Sequence, residues 1–407
     1  MDRRSILYGL GGSVLAGFTP WNGAQAGKNR NLLGFIRTNW SRDPFSFGSY
    51  SYIAKGARRG DVRALEKPIN NRVYFAGEAV FADYNSTVHA AYESGQKTAD
   101  LILNASHRNI AIIGAGMSGL SAAQKLASNG LNVSVFEARN RIGGRIWTDH
   151  RLGVPLDLGA SWIHGTDKNP LTELADSIGQ QRVETDDTYI VKGRDGRIIN
   201  DRDVPDWVED IVEIQHDAGA DIDQINRPAY FLQSSYGGPD VKFPNGYADI
   251  FDALRGDYTV RLSRTVDRIT YGNQGASVGM VDATEEVFDA VIITVPLGVL
   301  KNDNIKFEPP LPDNKTNAIT RLGMGTLDKV YLLFDQPFWG KDATWIITPE
   351  NDFPRGQFNQ WLNLYRYLDK PVILAFNGGS PALEMASLSD EAIIEKALQT
   401  LDIAYPG

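Results

Sequence analysis

Apolar positions along the chain fall in short runs rather than long stripes. Asn109 to Ile113 is an apolar run of strand length, the pattern of a parallel strand buried on both faces. Gly114-Ala115-Gly116-Met117-Ser118-Gly119 follows at once, and from Leu120 to Asn129 the apolar residues recur at helical spacing. A second strand is predicted over Asn132 to Phe136 and ends at Glu137. Further short strands are predicted over Arg72–Ala79, Thr265–Ile269, Asp289–Val295 and from Lys329 to Phe334, the third halted by Pro296 and Gly298. Helices are predicted from Asn85 or Ser86 to about Leu103, with either polar residue as N-cap, and over Asp390–Leu401. Strands alternating with helices predict an α/β fold.

Strand, Gly-x-Gly-x-x-Gly turn, helix and strand, with an acid about twenty positions on, form a dinucleotide-binding fingerprint. Gly114 permits the tight turn, Gly116 lets backbone amides approach a pyrophosphate, and Gly119 lets the helix pack close to the strand. The amides of Ala115, Met117 and Ser118 at the turn and helix start offer donors to phosphate. Glu137 is placed to accept from ribose hydroxyls. The fingerprint alone does not separate FAD from NAD.

At 407 residues, 42% hydrophobic and 22% charged, the chain is an ordinary folded protein long enough for two domains. A net charge of −9 argues against nucleic acid as partner; it suits a cationic small molecule, or serves solubility alone. There is no cysteine, which excludes disulfides, thiolate metal sites and cysteinyl attachment of a cofactor. The five histidines are scattered without metal spacing, so no metal is expected. Residues 1–26 are read as a leader: Arg3-Arg4 precedes an apolar run from Leu7 to Phe18, and Ala24-Gln25-Ala26 offers small residues for cleavage. It resembles a twin-arginine export signal, which implies the export machinery as partner and a periplasmic or secreted bacterial protein. The run is too short for a stable membrane anchor.

The residues after Glu137 separate the cofactors. Glu137-Ala138-Arg139-Asn140-Arg141-Ile142-Gly143-Gly144-Arg145 resembles the Glu-Ala-x-x-Arg-x-Gly-Gly-Arg stretch of the flavin amine oxidase family. The resemblance implies FAD, with Ala138, Arg139, Gly144 and Arg145 along its diphosphate side. Leu158-Gly159-Ala160-Ser161-Trp162-Ile163-His164-Gly165 resembles the segment beside the flavin ring, in wording nearest the polyamine and spermine oxidases. It implies that Gly159, Ala160, Ser161 and Trp162 bind cofactor and that His164 hydrogen-bonds substrate; a purely structural hydrogen bond is the alternative for His164. Val266 resembles the position whose backbone brackets adenine.

Two stretches near the front resemble the family's final quarter. Phe75-Ala76-Gly77-Glu78 and Thr87-Val88-His89-Ala90 resemble its Phe-x-Gly-Glu and Thr-Val-His-Gly motifs, with Ala90 in place of the usual glycine. They imply that Gly77 and Glu78 hold ribityl or ribose hydroxyls and that Thr87 and Val88 face a flavin carbonyl. Gly48-Ser49-Tyr50-Ser51-Tyr52 resembles the segment carrying one wall of the aromatic cage, at Tyr50; the opposite wall falls at Thr87. The segments are therefore expected in circularly permuted order, with Asn104–Arg108 as an exposed link; a rearranged coding sequence is the alternative.

Gly323 to Phe334 resembles the family's Gly-x-x-x-Lys-Val strand, which implies that Lys329 reaches the flavin through a water; a strand-end lysine snorkelling into solvent is the alternative. The expected architecture is an FAD-binding Rossmann-like domain of the glutathione-reductase type over 68–165 and 243–301. A mixed α+β substrate domain is expected over 27–67, 166–242 and 302–407. The acids Asp203, Asp206, Glu209, Asp210, Glu213, Asp217, Asp221 and Asp223 fall on an expected helix, as a solvated face or a funnel for polycations. The implied activity is oxidation of a C–N bond of a polyamine by hydride transfer to non-covalent FAD, with imine hydrolysis and reduction of dioxygen to peroxide. A monoamine or L-amino-acid oxidase, a desaturase of the same fold, and a non-catalytic FAD-binding module are the alternatives.

Overall fold

The computed structural model describes residues 30–407, so the expected leader lies outside the described residues. The chain forms two compact units. The first comprises the described part of Met1–Gly48 with Thr188–His216 and Thr326–Gly407; the second comprises Ser49–Asp187 and Asp217–Gly325. These limits fall elsewhere than the expected domain limits. Residues 49–67, 166–187, 217–242 and 302–325 join the fingerprint's unit: Ser51 bonds Glu78, Asp240–Lys242 pairs with both Trp162–Ile163 and Val183–Thr185, and Lys306–Glu308 pairs with Val266–Gly272.

The second unit is built on a five-stranded parallel sheet. Its strands are β1 (Val73–Phe75), β2 (Asn109–Ile113), β3 (Asn132–Phe136), β4 (Thr259–Arg261) and β5 (Ala290–Ile293). Their spatial order is β4-β3-β2-β5-β1. Ile110, Ala111, Ile112, Val135, Val291 and Ile292 are fully or almost fully buried, as a run without polar alternation requires. Thus the front stretch supplies an edge strand, β1, to the sheet that carries the fingerprint.

Helix α1 (Val88–Leu103) and helix α2 (Met117–Ser128) pack against each other beside this sheet. Their approach depends on Gly95. A Cβ there would stand 2.1 Å from Ser121 Oγ and 2.2 Å from the Ser118 carbonyl oxygen. The N-cap of α1 is Thr87, not Asn85 or Ser86: Thr87 Oγ1 accepts from Ala90 N at 3.1 Å and donates to Tyr84 O at 2.8 Å. Three candidate caps stand in a row, and only Thr87 lies three residues before an amide its hydroxyl can reach. The link between α1 and β2 is exposed at Asn104, Ser106 and Arg108, but His107 turns inward, 8% exposed, where its ring meets Tyr74 edge to face. Asp289 Oδ2 fastens the end of the link by accepting from Arg108 N at 2.6 Å and Asn109 N at 2.9 Å.

The first unit holds a six-stranded sheet in the order Leu32–Arg37, Leu327–Phe334, Val372–Gly378, Gln360–Asn363, Trp345–Ile347, Tyr189–Val191. The helix Asp390–Ala404, capped by Ser389, buries Ile393, Ile394, Ala397, Leu398 and Leu401 in its core. The acidic stretch is not one helix: short 3-10, α and π turns follow one another over 201–224, because Pro205 and Gly219 interrupt it. No helix among the described residues is long and apolar enough to cross a membrane.

Gly95→Val is expected to destabilise the protein by about 1–3 kcal/mol, since the obstructing Ser118 carbonyl is backbone that side-chain rotation cannot clear. Denaturant unfolding followed by far-UV circular dichroism measures this, and an unchanged midpoint would refute it.

Candidate active site

The fingerprint turn sits between β2 and α2. Gly114 takes φ +111, where a Cβ would stand 2.6 Å from Thr294 Oγ1, and a Cβ on Gly119 would stand 2.0 Å from the Gly114 carbonyl oxygen. These two glycines are required by protein packing. Gly116, the N-cap of α2, differs: the nearest protein atom to its Cβ position is 4.0 Å away, so the space beside it is open. Gly77, at φ +142, also faces open space, with nothing within 4 Å of a Cβ. Gly144, at φ +57, approaches the Gly116 backbone. Buried Glu137 accepts from Ala115 N through Oε2 and from Arg139 N through Oε1, both at 2.8 Å, which fixes the turn and retains lone pairs for hydroxyl donors. Val266 is buried at the start of the strand Val266–Gly272.

Glu78 is 5% exposed and joins three stretches. Its Oε2 accepts from Ser51 Oγ at 2.6 Å, Ser51 N at 3.2 Å and Ser86 N at 3.1 Å. Its Oε1 accepts from Arg145 Nη1 at 2.8 Å, and Nη1 also donates to Ser49 O at 2.9 Å. Nε and Nη2 of Arg145 have no hydrogen-bond partner among the described residues. Thr87 spends its hydroxyl on the α1 cap, leaving the amides of Val88 and His89 without intrahelical acceptors. Tyr50 begins the strand Tyr50–Tyr52, half-buried and paired with Gly325.

Gly159 and Ala160 are half-buried and Ser161 is buried, its Oγ donating to Asp157 O at 3.1 Å. The strand Trp162–Ile163 pairs antiparallel with Asp240–Lys242, which also pairs with Val183–Thr185. His164 therefore stands beside Asp240, with Nδ1 2.6 Å from Oδ2, while Asp240 Oδ1 accepts from Gly165 N at 2.8 Å. The His164 side chain is exposed, with 59% of its surface accessible. Burial opposes its charged form, but Asp240, aided by the charge of Asp217, outweighs that and raises its pKa above the ordinary histidine value. The ring's access to solvent weakens the opposing effect and so reinforces the direction. Lys242 Nζ lies 3.7 Å over the Trp162 ring and 3.5 Å from Ser161 O; burial pushes its pKa down to about 8.

Several groups were not legible as site residues beforehand: Asp240, Lys242, and a cluster of Tyr84, His89 and Tyr236. Tyr84 and Tyr236 stack with centroids 5.1 Å apart, and the His89 ring meets each edge to face at 5.1 Å. Burial, with the charge of His164 adding to it, lowers the His89 pKa to about 4, so this ring is neutral at neutral pH. Burial and the charges of Asp221 and Asp223 raise the Tyr52 pKa.

Lys329 lies in the first unit, on the strand Leu327–Phe334. It is 4% exposed, so snorkelling into solvent is excluded, and its Nζ lies 5.9 Å from the Phe376 ring centroid. Its neighbour Asp328 accepts from Thr38 Oγ1 at 2.8 Å and Trp40 N at 2.9 Å. No group of His, Asp and Glu that could hold a metal occurs among the described residues.

Open space at Gly116 and Gly77, the amides at the start of α2 and the unengaged nitrogens of Arg145 fit a flavin dinucleotide. Gly116→Val is expected to abolish flavin retention while leaving the unfolding free energy of the flavin-free protein within about 0.5 kcal/mol, since its Cβ meets no protein atom closer than 4.0 Å. Absorbance at the flavin band and denaturant melts check both halves, and a yellow variant would refute it.

Residues 23–103, 117–202 and 216–406 match the model of the flavin containing amine oxidoreductase family. Polyamine oxidase 5 of Oryza sativa subsp. japonica is 29% identical over 75% of this chain and 73% of its own length. A probable polyamine oxidase 4 of Arabidopsis thaliana is 30% identical over 73% of this chain and 72% of its own. Among solved structures, a double mutant of putrescine oxidase shares the fold with a TM-score of 0.57 at 21% identity, covering 74% of this chain and 82% of that one. The chain belongs to the flavin containing amine oxidoreductase family, and it is an amine oxidase that uses a flavin and acts on a small-molecule amine with oxygen.

Proposed function

We propose that this enzyme oxidises a polyamine with FAD held non-covalently. What carries the substrate class is the likeness to polyamine oxidases of Oryza sativa and Arabidopsis thaliana, supported by the acids Asp217, Asp221 and Asp223, whose charges act on His164 and on Tyr52, next but one to Tyr50. A monoamine has one cationic nitrogen, which becomes neutral at the reacting carbon; only a polyamine retains further ammonium groups for such carboxylates. Thr87 in place of a second aromatic wall leaves room for an extended or secondary amine beside Tyr50. The absence of cysteine removes the cysteinyl route to covalent flavin.

A bound flavin would supply the acceptor for hydride from the carbon beside nitrogen. The α2 start, Gly77, Glu137 and Arg145 would hold the dinucleotide, and the α1 amides of Val88 and His89 would favour negative charge at the ring. Tyr50 offers its face to the amine, worth about 0.5–2 kcal/mol for a cation. His164 hydrogen-bonds the amine, and Lys329, by its resemblance to the family's strand lysine, serves the oxidative step.

We also propose that the segments run in permuted order relative to the family's usual one. Support comes from β1 as the edge strand beside β5 and from α1 packed on α2. A gene with residues 31–104 moved behind residue 407 is expected to yield the same flavin spectrum and peroxide rate; a re-ordered chain that folds but binds no flavin would contradict this.

Peroxide release is expected with spermine or spermidine and at least about tenfold less with a monoamine. Lys329→Met is expected to lower kcat by about 10–100-fold with flavin retained. Peroxide only with a monoamine or an L-amino acid would replace the polyamine reading, and none with any amine would favour a binding module.

A further inference from the structure

Three short strands, Trp162–Ile163, Val183–Thr185 and Asp240–Lys242, present one continuous face. Trp162 stands opposite Lys242, and one alternation further His164 stands beside Asp240. The Trp162 and His164 rings lie 6.1 Å apart at 23°. The four side chains thus alternate aromatic and charged groups in a fixed frame, and Asp240 is gripped at both oxygens by the turn it faces.

This geometry decides where the histidine proton resides. Asp240 is held below the usual carboxylate pKa: burial works against its charge, and the His164 and Gly165 hydrogen bonds outweigh that. An ionised carboxylate accepts only, so His164 Nδ1 must carry hydrogen, and the lone pair of the neutral ring is on Nε2. Nε2 has no hydrogen-bond partner among the described residues. We propose that Asp240 is a positioning residue: it locks His164 in the Nδ1–H tautomer, so that Nε2 takes the proton an amine substrate brings as its ammonium. The N–H bond of the ammonium breaks, leaving its electron pair on nitrogen. The proton bonds to Nε2, and the imidazolium charge is held against Asp240. This gives the neutral amine that hydride donation requires, and it rests on the amine oxidase reading in which His164 meets substrate.

The charges facing His164 act in opposite senses. Asp240 and Asp217 favour its protonated form, while Lys242 disfavours it; His89, on α1, is neutral at neutral pH. Removing the Asp240 charge must weaken the base, and removing the Lys242 charge must strengthen it. The signs differ, so loss of structure cannot imitate both.

The test is histidine NMR of the flavin-loaded full chain, whose five histidines give a sparse spectrum, alongside the pH dependence of kcat/KM for spermine. Turnover needs neutral Nε2, so kcat/KM rises with pH through the His164 midpoint. Asp240→Asn keeps an acceptor for Gly165 N, and it is expected to move both the midpoint and the acid limb down by about one pH unit. Lys242→Met is expected to move both upward. A midpoint unmoved in both variants, or one that moves while the acid limb stays, overturns the proposal. If no amine is turned over, the oxidase reading has failed separately, and the tautomer and midpoint alone decide the role of Asp240.

Discussion

A carboxylate buried with several donors around it is stable only while every donor stays in place, and Glu78 sets that condition for the second unit. Its two oxygens collect Ser51, Ser86 and the Arg145 guanidinium. An ionised acid at 5% exposure, deprived of these partners, would carry an uncompensated charge in a water-poor place. The stretches carrying Tyr50, the α1 start and the Gly-Gly-Arg loop are therefore held in one register. Arg145 engages this node through Nη1 alone, so the group that fixes the fold has donors left over.

Around that node, two kinds of glycine separate structure from function. Gly95, Gly114 and Gly119 are demanded by neighbouring protein atoms, and they set how close α1 and β2 come to α2. A Cβ on Gly116 or Gly77 would meet no protein atom closer than 4.0 Å, which leaves room for something else. The surroundings of His164 are built differently. Two very short paired strands bring Trp162, Asp240 and Lys242 together with His164 just beyond the first of them; burial pushes Lys242 down towards neutrality while Asp240 holds His164 up.

Much of this could be read from the chain because the informative features are local. Asn109 to Glu137 declares strand, turn, helix and strand through apolar runs and glycine spacing within one short window, and β2, α2 and β3 fall there. Thr87 escaped as a cap because Asn85, Ser86 and Thr87 are all good caps, and reach to Ala90 N chooses among them. Asp240 was illegible for a stronger reason. It sits 76 residues from His164, and only strand pairing brings them together. The acidic stretch misled because charge spacing indicates a helix face without weighing Pro205 and Gly219. Lys329 was legible as a strand residue, but its burial is set by sheet neighbours the sequence does not declare.

The most direct measurement is the flavin content of the purified full-length chain before and after acid precipitation. One flavin per chain, released wholly into the supernatant and identified as FAD, is the expected result for a single non-covalent dinucleotide site built from the front stretch and the fingerprint together. A folded but colourless protein, or flavin that stays with the precipitated chain, would contradict it.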